Sequence, residues 1–439
     1  MLDLPRGPGT VAGPVVLLDG RGPVRGVHAY RDRVIAALAA AMIASATLVQ
    51  APAAAPPQGA APPAPAPPAS GPATFSTISG RPPELPARRV EPRIWEIAFE
   101  ADIWAPQTPG AKGAPLNFGG VVAWMPLVLQ STYSVMDAQS IRAETWVDGK
   151  RVAVPVASLQ MRQGLSQGMS AVGIQMPPAG VQGIKWKVSW KVQCWSPVVD
   201  ERAAAAITWP AEWPAEAQES LQAAPGFEVG HPDMRAFVDR ATGGKLRSVT
   251  PWIAAKELVR ATCVAFRGLD EDGLRVENGF PRGLVFNGAH AAMSAGTGSG
   301  PDLVASCVTV LRTAGIPARA VLGAAEVMNS SGTNSRARLT CWAELWLPGA
   351  GWVPFSPVDL VGSIRGGLNV ERPWKNFGSW DGLNESIPLC YGWALPMQGC
   401  HSLPYPAGYV LNARIAPDDI AQMRDRVTIQ ILGRGRGRD

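Results

Sequence analysis

The chain is poor in the residues that metal and phosphate chemistry draws on. Only four of its 439 residues are histidine, no C-x-x-C occurs, and no Cys/His pair has the spacing of a zinc site. The sequence therefore gives no expectation of a metal or a cofactor. Its glycine-rich segment, Gly296-Thr297-Gly298-Ser299-Gly300-Pro301-Asp302, is not followed by the Lys-Ser or Lys-Thr pair of a phosphate loop. Charge is sparse: 17% of residues are Asp, Glu, Lys or Arg, and the net charge is +5. A Gly-Arg-Gly-Arg-Gly-Arg run at 433–438 adds to that charge without any accompanying nucleic-acid motif, so nucleic acid is not an expected partner. Six cysteines are too few for a disulfide-dense scaffold. The 46% hydrophobic content fits folded domains rather than disorder.

Long apolar runs are missing as well. The best candidate, Val34–Val49, falls short of the ~20 residues that a spanning helix needs. Arg31 and Arg33 precede it, and Ala51-Pro52-Ala53 and Ala53-Ala54-Ala55 follow as A-x-A exits. A basic flank, a short apolar core and small residues are the parts of a secretory signal. The expectation is export to a periplasm, cell envelope or medium, with no membrane-spanning helix after signal removal. Residues 1–50 are then extension and signal, and 51–90 a linker whose Ala/Pro/Gly composition favours a stiff spacer.

What is present begins with strands. Over 91–210 the periodicity is two, most clearly where Ile184, Trp186, Val188, Trp190, Val192 and Cys194 alternate with polar residues. Ile141–Val156 reads as a hairpin turning at Asp148-Gly149, and Ile94–Ile103 and Val121–Leu129 as further strands. The pattern predicts an N-terminal β-sandwich-like domain without recognisable chemistry.

Over 225–360 the fold class changes to α+β. Pro232–Thr242 and Pro251–Phe266 read as amphipathic helices. A third follows Pro301-Asp302, with Leu303, Val304, Cys307, Val310, Leu311 and Ala314 on one apolar face. Gly315 ends it and Pro317 prevents its continuation. Ala318–Leu322, Arg338–Leu347 and a segment from Gly351 read as strands. A Gly/Trp/Pro-rich extension occupies 361–439, with a final strand near Val427–Leu432. Within it, Cys390 and Cys400 flank a short loop and are a candidate disulfide, the alternative being two separate core residues.

Three segments carry a resemblance. Leu311-Arg312-Thr313-Ala314-Gly315-Ile316-Pro317-Ala318-Arg319, Trp342-Ala343-Glu344-Leu345-Trp346-Leu347-Pro348-Gly349 and Gly351-Trp352-Val353-Pro354-Phe355 resemble the transglutaminase-like superfamily, of papain-type cysteine-enzyme fold, in order and spacing. That resemblance implies a Cys at a helix start, a His on the next strand and an Asp on the strand after, arranged as a triad. The matching positions hold Gly300, Thr340 and Ser356. Glycine offers no nucleophile, threonine no base near neutral pH, and serine no charge to orient an imidazolium.

The other cleft candidates are Ser299, His290 and Trp342; His290 is the one histidine placed to act as a displaced base. Cys307 reads as core and Cys341 as pointing away from Thr340, while Glu344, Arg319 and Trp342 match structural positions of the family, which implies packing or ion-pair roles. The expected function is a non-catalytic pseudoenzyme that binds a peptide, glycan or protein partner, such as a cell-wall component. The alternatives are an amidase, peptidase or glutamine acyltransferase with a rearranged centre, and a structural part of the envelope.

Overall fold

In the computed structural model, the described residues are 87–105, 121–153, 159–176, 180–270, 273–277, 280–327, 337–393, 401–402, 410–411 and 424–437. The signal, residues 51–86 of the expected linker and Cys400 lie outside them, and residues 87–90 of that linker belong to the first strand. All belong to one compact unit, Ile78–Asp439.

Seven strands open the described chain: β1 (Ala87–Trp104), β2 (Val122–Leu127), β3 (Ser134–Val147), β4 (Lys150–Val152), β5 (Leu159–Leu165), β6 (Met169–Gln175) and β7 (Gly183–Val199). The expected hairpin joins β3 to β4 through Asp148 and Gly149 at φ 48° and 79°, the paired left-handed conformation of a type I′ turn. β7 alternates as its sequence requires. Ile184, Trp186, Val188, Trp190, Val192 and Cys194 are all buried, opposite Ile97, Phe99, Ala101 and Ile103 of β1. Each fully buried aliphatic side chain there, such as Val188, contributes about 1.5–3 kcal/mol.

The α+β part follows. It contains α1 (Glu201–Ala206), α2 (Ala215–Gln218), α3 (Pro232–Thr242), α4 (Pro251–Ala265), β8 (Gly268–Asp270), β9 (Leu274–Glu277), β10 (Phe280–Leu284), α5 (Ala289–Ala295), β11 (Thr297–Ser299) and α6 (Gly300–Thr313). Then come β12 (Ala318–Glu326), β13 (Ala337–Leu347), β14 (Gly351–Phe355) and α7 (Pro357–Arg365). After them run β15 (Ser386–Tyr391), β16 (His401–Ser402), β17 (Val410–Leu411) and β18 (Arg424–Arg436).

α6 is the centre of this domain, packed by α3, α4, α5, α7, β12 and β13. The sequence predicts one apolar face, but every residue from Gly300 to Arg312 is buried. Two of its polar members bond inside: the Ser306 hydroxyl donates to the Asp302 carbonyl at 2.7 Å and Arg312 donates to the Ala318 carbonyl at 2.7 Å. At its end the Ile316 and Gly315 N–H groups bond the Leu311 and Arg312 carbonyls, with Gly315 at φ 79°, the left-handed stop that glycine permits.

The segment read as an extension is built into both domains. β15 is the fourth strand of the antiparallel sheet β14-β13-β12-β15. β18 completes the sheet β18-β1-β7-β3-β4, and β16 and β17 complete the second sandwich sheet, β16-β17-β2-β6-β5. The stretch before β15 also ties the domains together. The Trp95 indole donates to the Asn384 carbonyl at 2.7 Å, the Asn384 amide to Glu91, and the Ser196 hydroxyl to Asp381. Ala324, Ile387 and Leu389 of the four-stranded sheet enter the sandwich core directly.

Candidate functional site

The three positions that matter for the resemblance lie on elements that pack against one another, α6, β13 and α7. Gly300 is the first residue of α6 and is buried. Before it, Ser299 caps the helix: its hydroxyl accepts from the Asp302 N–H at 3.2 Å and donates to the Val285 carbonyl, and the Ser299 N–H returns to the Asp302 carboxylate at 3.0 Å. Ser299 and Asp302 thus form a capping box. The carboxylate also accepts from the Asn287 and Gly288 N–H groups and the Asn287 side-chain amide. With so many donors around it, Asp302 fixes the loop over the helix start, and Ser299, 2% exposed, is a cap with no histidine at its hydroxyl.

Thr340 is half-buried on β13 opposite Gly323 of β12. Trp342, expected on the cleft wall, is 2% exposed and is a core residue. Its ring lies over Gly323, where a Cβ would come within 2.3 Å of it, and it meets Trp380 edge-on at 6.3 Å. Ser356 caps α7, accepting from the Asp359 N–H at 3.2 Å.

His290 sits elsewhere. It is the second residue of α5, whose first residue, Ala289, meets Ser306 of α6, about 9 Å along the axis from Gly300. Its ring turns outward. Nε2 lies 2.9 Å from Asp233 Oδ2, and the ring lies tilted against that of His231, with centroids 3.9 Å apart. Gly300, Thr340 and Ser356 are not among its partners within the described residues.

No described thiol has the setting of a nucleophile. Burial pushes Cys307 well up, with Cys263 beside it adding to the effect. Burial also pushes Cys341 and Cys390 up to about 12, aided at Cys341 by the Asp359 charge. Cys341 and Cys390 both pair with Leu322, one on each side of β12, which spaces their backbones by about two strand widths, ~10 Å, too far for a direct disulfide.

Where chemistry-bearing side chains do converge is the far end of β12. Arg319 and Glu344, both 3% exposed, pair at 2.7 Å through Nε and Nη2. The guanidinium lies 3.6 Å from the Tyr391 ring centroid and 4.1 Å from that of Trp352. A delocalised cation stacked on aromatic faces loses less on burial than an ammonium would, which makes arginine the fitting partner here. Arg319 of this pair borders an open groove of about 600 Å³ at the seam of the two domains. Trp346, Trp352, Tyr391 and Arg319 line one side, and Arg89, Thr132 and Gln167 of the sandwich the other, with Glu216 and Glu219 at the rim. Arg89 is held by the Thr132 carbonyl at 2.6 Å, and Glu219 accepts the Gln167 N–H at 2.7 Å. Trp346 meets Trp352 edge-on at 5.3 Å. Arg89, Gln167 and Glu219 carry no sequence signal, because strand edges and a short helix bring them here from distant segments.

The transglutaminase-like superfamily model matches residues 281–357, a span that includes Gly300, Thr340 and Ser356. This domain is transglutaminase-like. No curated protein matches the chain. Among solved structures, it is similar to a proposed cysteine protease from Cytophaga hutchinsonii, at 10% identity over 80% of this chain and 93% of that one, TM-score 0.46. It is also similar to the periplasmic domain of TgpA from Pseudomonas aeruginosa, at 14% identity over 66% of this chain and 99% of that one, TM-score 0.31. The transglutaminase-like domain carries the Arg319–Glu344 pair and the aromatic wall of the groove, and the β-sandwich supplies the opposite wall.

Proposed function

We propose that this is an exported transglutaminase-like protein that does not catalyse the family's reaction and instead holds a peptide or glycan strand in the seam groove. The observation that carries the reading is the use made of the triad positions. Gly300 starts a buried helix and Ser356 caps another, while Thr340 faces a glycine across the sheet. Loss of even one triad member costs on the order of 10⁴ in rate. His290, bound up with Asp233 and His231, supplies no replacement base at α6. The groove, in contrast, offers what extended polymers use: the half-buried Trp346 indole, the half-buried Arg89 guanidinium and two acids at the rim.

The test has two arms. Purified protein given a glutamine-donor peptide and an amine, or a panel of amide substrates, should show no turnover above buffer. Iodoacetamide at pH 8 should leave Cys307, Cys341 and Cys390 unlabelled, since a thiol at about 12 is ionised in only about one molecule in 10⁴. Turnover abolished by Cys307→Ala or His290→Ala would overturn the reading. Retention of an envelope peptide or glycan by the wild type, lost in Trp346→Ala, would place the ligand. Export is checked separately, by recovering secreted protein with an N-terminus between Ala46 and Gln58.

A further inference from the structure

Two of the chain's four histidines meet on the outer surface of the transglutaminase-like domain, on α3 and α5, away from the groove. His231 precedes α3 as its cap, Asp233 lies in the first turn of the same helix, and His290 comes from the start of α5. The His290 Nε2 is 2.9 Å and the His231 Nδ1 3.7 Å from the same Asp233 oxygen. One ligand atom from each of the three lies within 4.8 Å of the others. From this geometry we infer that His231, Asp233 and His290 bind one borderline divalent cation of the zinc class.

The donor set suits that class. Two neutral imidazoles and one carboxylate favour Zn²⁺, Co²⁺ or Ni²⁺ over the all-oxygen preference of Mg²⁺ and Ca²⁺. Ligands at ~2.0–2.1 Å in a tetrahedron stand roughly 3.3 Å apart, so the separations seen here close with small rotamer changes. The side chains have room to make them, being 39% (His231), 72% (Asp233) and 32% (His290) exposed. Beside them a hollow of about 180 Å³, lined by Met293, Ser294 and Phe237, leaves space for a water or a partner's ligand at the fourth position.

Opposing terms are small. The two helix starts are positive poles and Arg240 is near Asp233, whereas Asp233 itself and Glu228, which accepts the His290 N–H at 3.0 Å, are negative. Binding displaces the N–H between His290 and Asp233 and the 3.3 Å cap bond from the Asp233 N–H to His231 Nδ1. A bound ion would then join α3 to α5 through ligands 57 residues apart in sequence (290 − 233), a separation that no spacing rule detects.

The experiment uses the tag-free full chain, stripped with chelator. Calorimetric titration with Zn²⁺ should give one site, Co²⁺ should produce the visible bands of a tetrahedral centre, and Mg²⁺ and Ca²⁺ should give no heat. His231→Ala and His290→Ala should each weaken Zn²⁺ binding at least about 100-fold and abolish the Zn²⁺-dependent rise in melting temperature. Both are surface changes, so the circular dichroism of the metal-free variants should equal that of the wild type. Absence of Zn²⁺ binding to the wild type, or equal binding by the folded His290→Ala variant, would overturn the inference.

Discussion

Three helices of the transglutaminase-like domain start on one chemical plan and come to different ends. α6 starts with Ser299 and Asp302, α7 with Ser356 and Asp359, and α3 with His231 and Asp233; in each a cap residue precedes a first-turn aspartate and a proline. At α6 the plan is sealed inside: Asp302 is fully buried and accepts from the backbone of two loops. At α7 only the cap is buried, and Asp359 reaches the Asn376 amide. At α3 the acid stands in water beside two imidazoles. Burial decides which carboxylate is architecture and which is free to find a ligand. The helix start where the resemblance would put a nucleophile is the most completely committed of the three.

The comparison breaks most visibly at Asp302. Asp302→Ala leaves the buried Gly288 and Ser299 N–H groups without this acceptor and should cost about 3 kcal/mol or more, read from urea unfolding midpoints. A loss under about 1 kcal/mol would show that water replaces the carboxylate and that this helix start is more open than described. Next comes the triple change Gly300→Cys, Thr340→His, Ser356→Asp. If α6, β13 and α7 still face one another as family architecture, iodoacetamide rates against pH should place the new thiol below the ~8.5 of a free cysteine. A value above it would mean that burial wins over the helix pole and the imidazole.

Ser356→Ala should lower stability by about 1 kcal/mol through loss of the α7 cap, measurable in the same urea series. The smallest effect is expected at α3. The hydrogen bond to His290, with the two histidine charges, holds the Asp233 carboxyl below its ordinary value. A depressed carboxyl adds stability above its unfolded-state pKa and loses it as pH falls through the folded value. Between about pH 5 and 3, Asp233→Asn should therefore flatten a slope seen only at low salt, because the group is largely exposed. Near pH 3 and below, as the wild-type carboxyl is protonated, the melting temperatures of the two metal-free proteins should converge.

The sequence carries much of this outline, and its limits are physical. α3 and α6, the Asp148-Gly149 turn and the strands of the four-stranded sheet are set by local signals: proline at first turns, glycine at left-handed stops, and periodicity. The burial of both faces of α6 is not local. Ser306 and Thr309 read as polar, yet neighbours close around them. Trp342 reads both as a cleft candidate and as a structural position; it takes the bare Gly323, the cross-strand partner of Thr340, to show that its ring lies in the core. The seam groove and the His231–His290 meeting depend on chain segments far apart, where pattern along the sequence carries no information.

The pairing of β18 with β1 sets an order of events in time. Phe99 and Ile429 are register partners 330 residues apart (429 − 99), and β1 lies between β7 and β18 along nearly its whole length. During synthesis β1 and β7 can pair early, but the other edge of β1 stays open until the ribosome has finished the entire transglutaminase-like domain. For that interval the nascent chain presents a long strand edge with an apolar face, the kind of surface that recruits other strands. The helices α1 to α7 all precede β18 in the chain and so can pack before β18 reaches its place. The sandwich that comes first in the sequence is therefore the last part of the molecule to close.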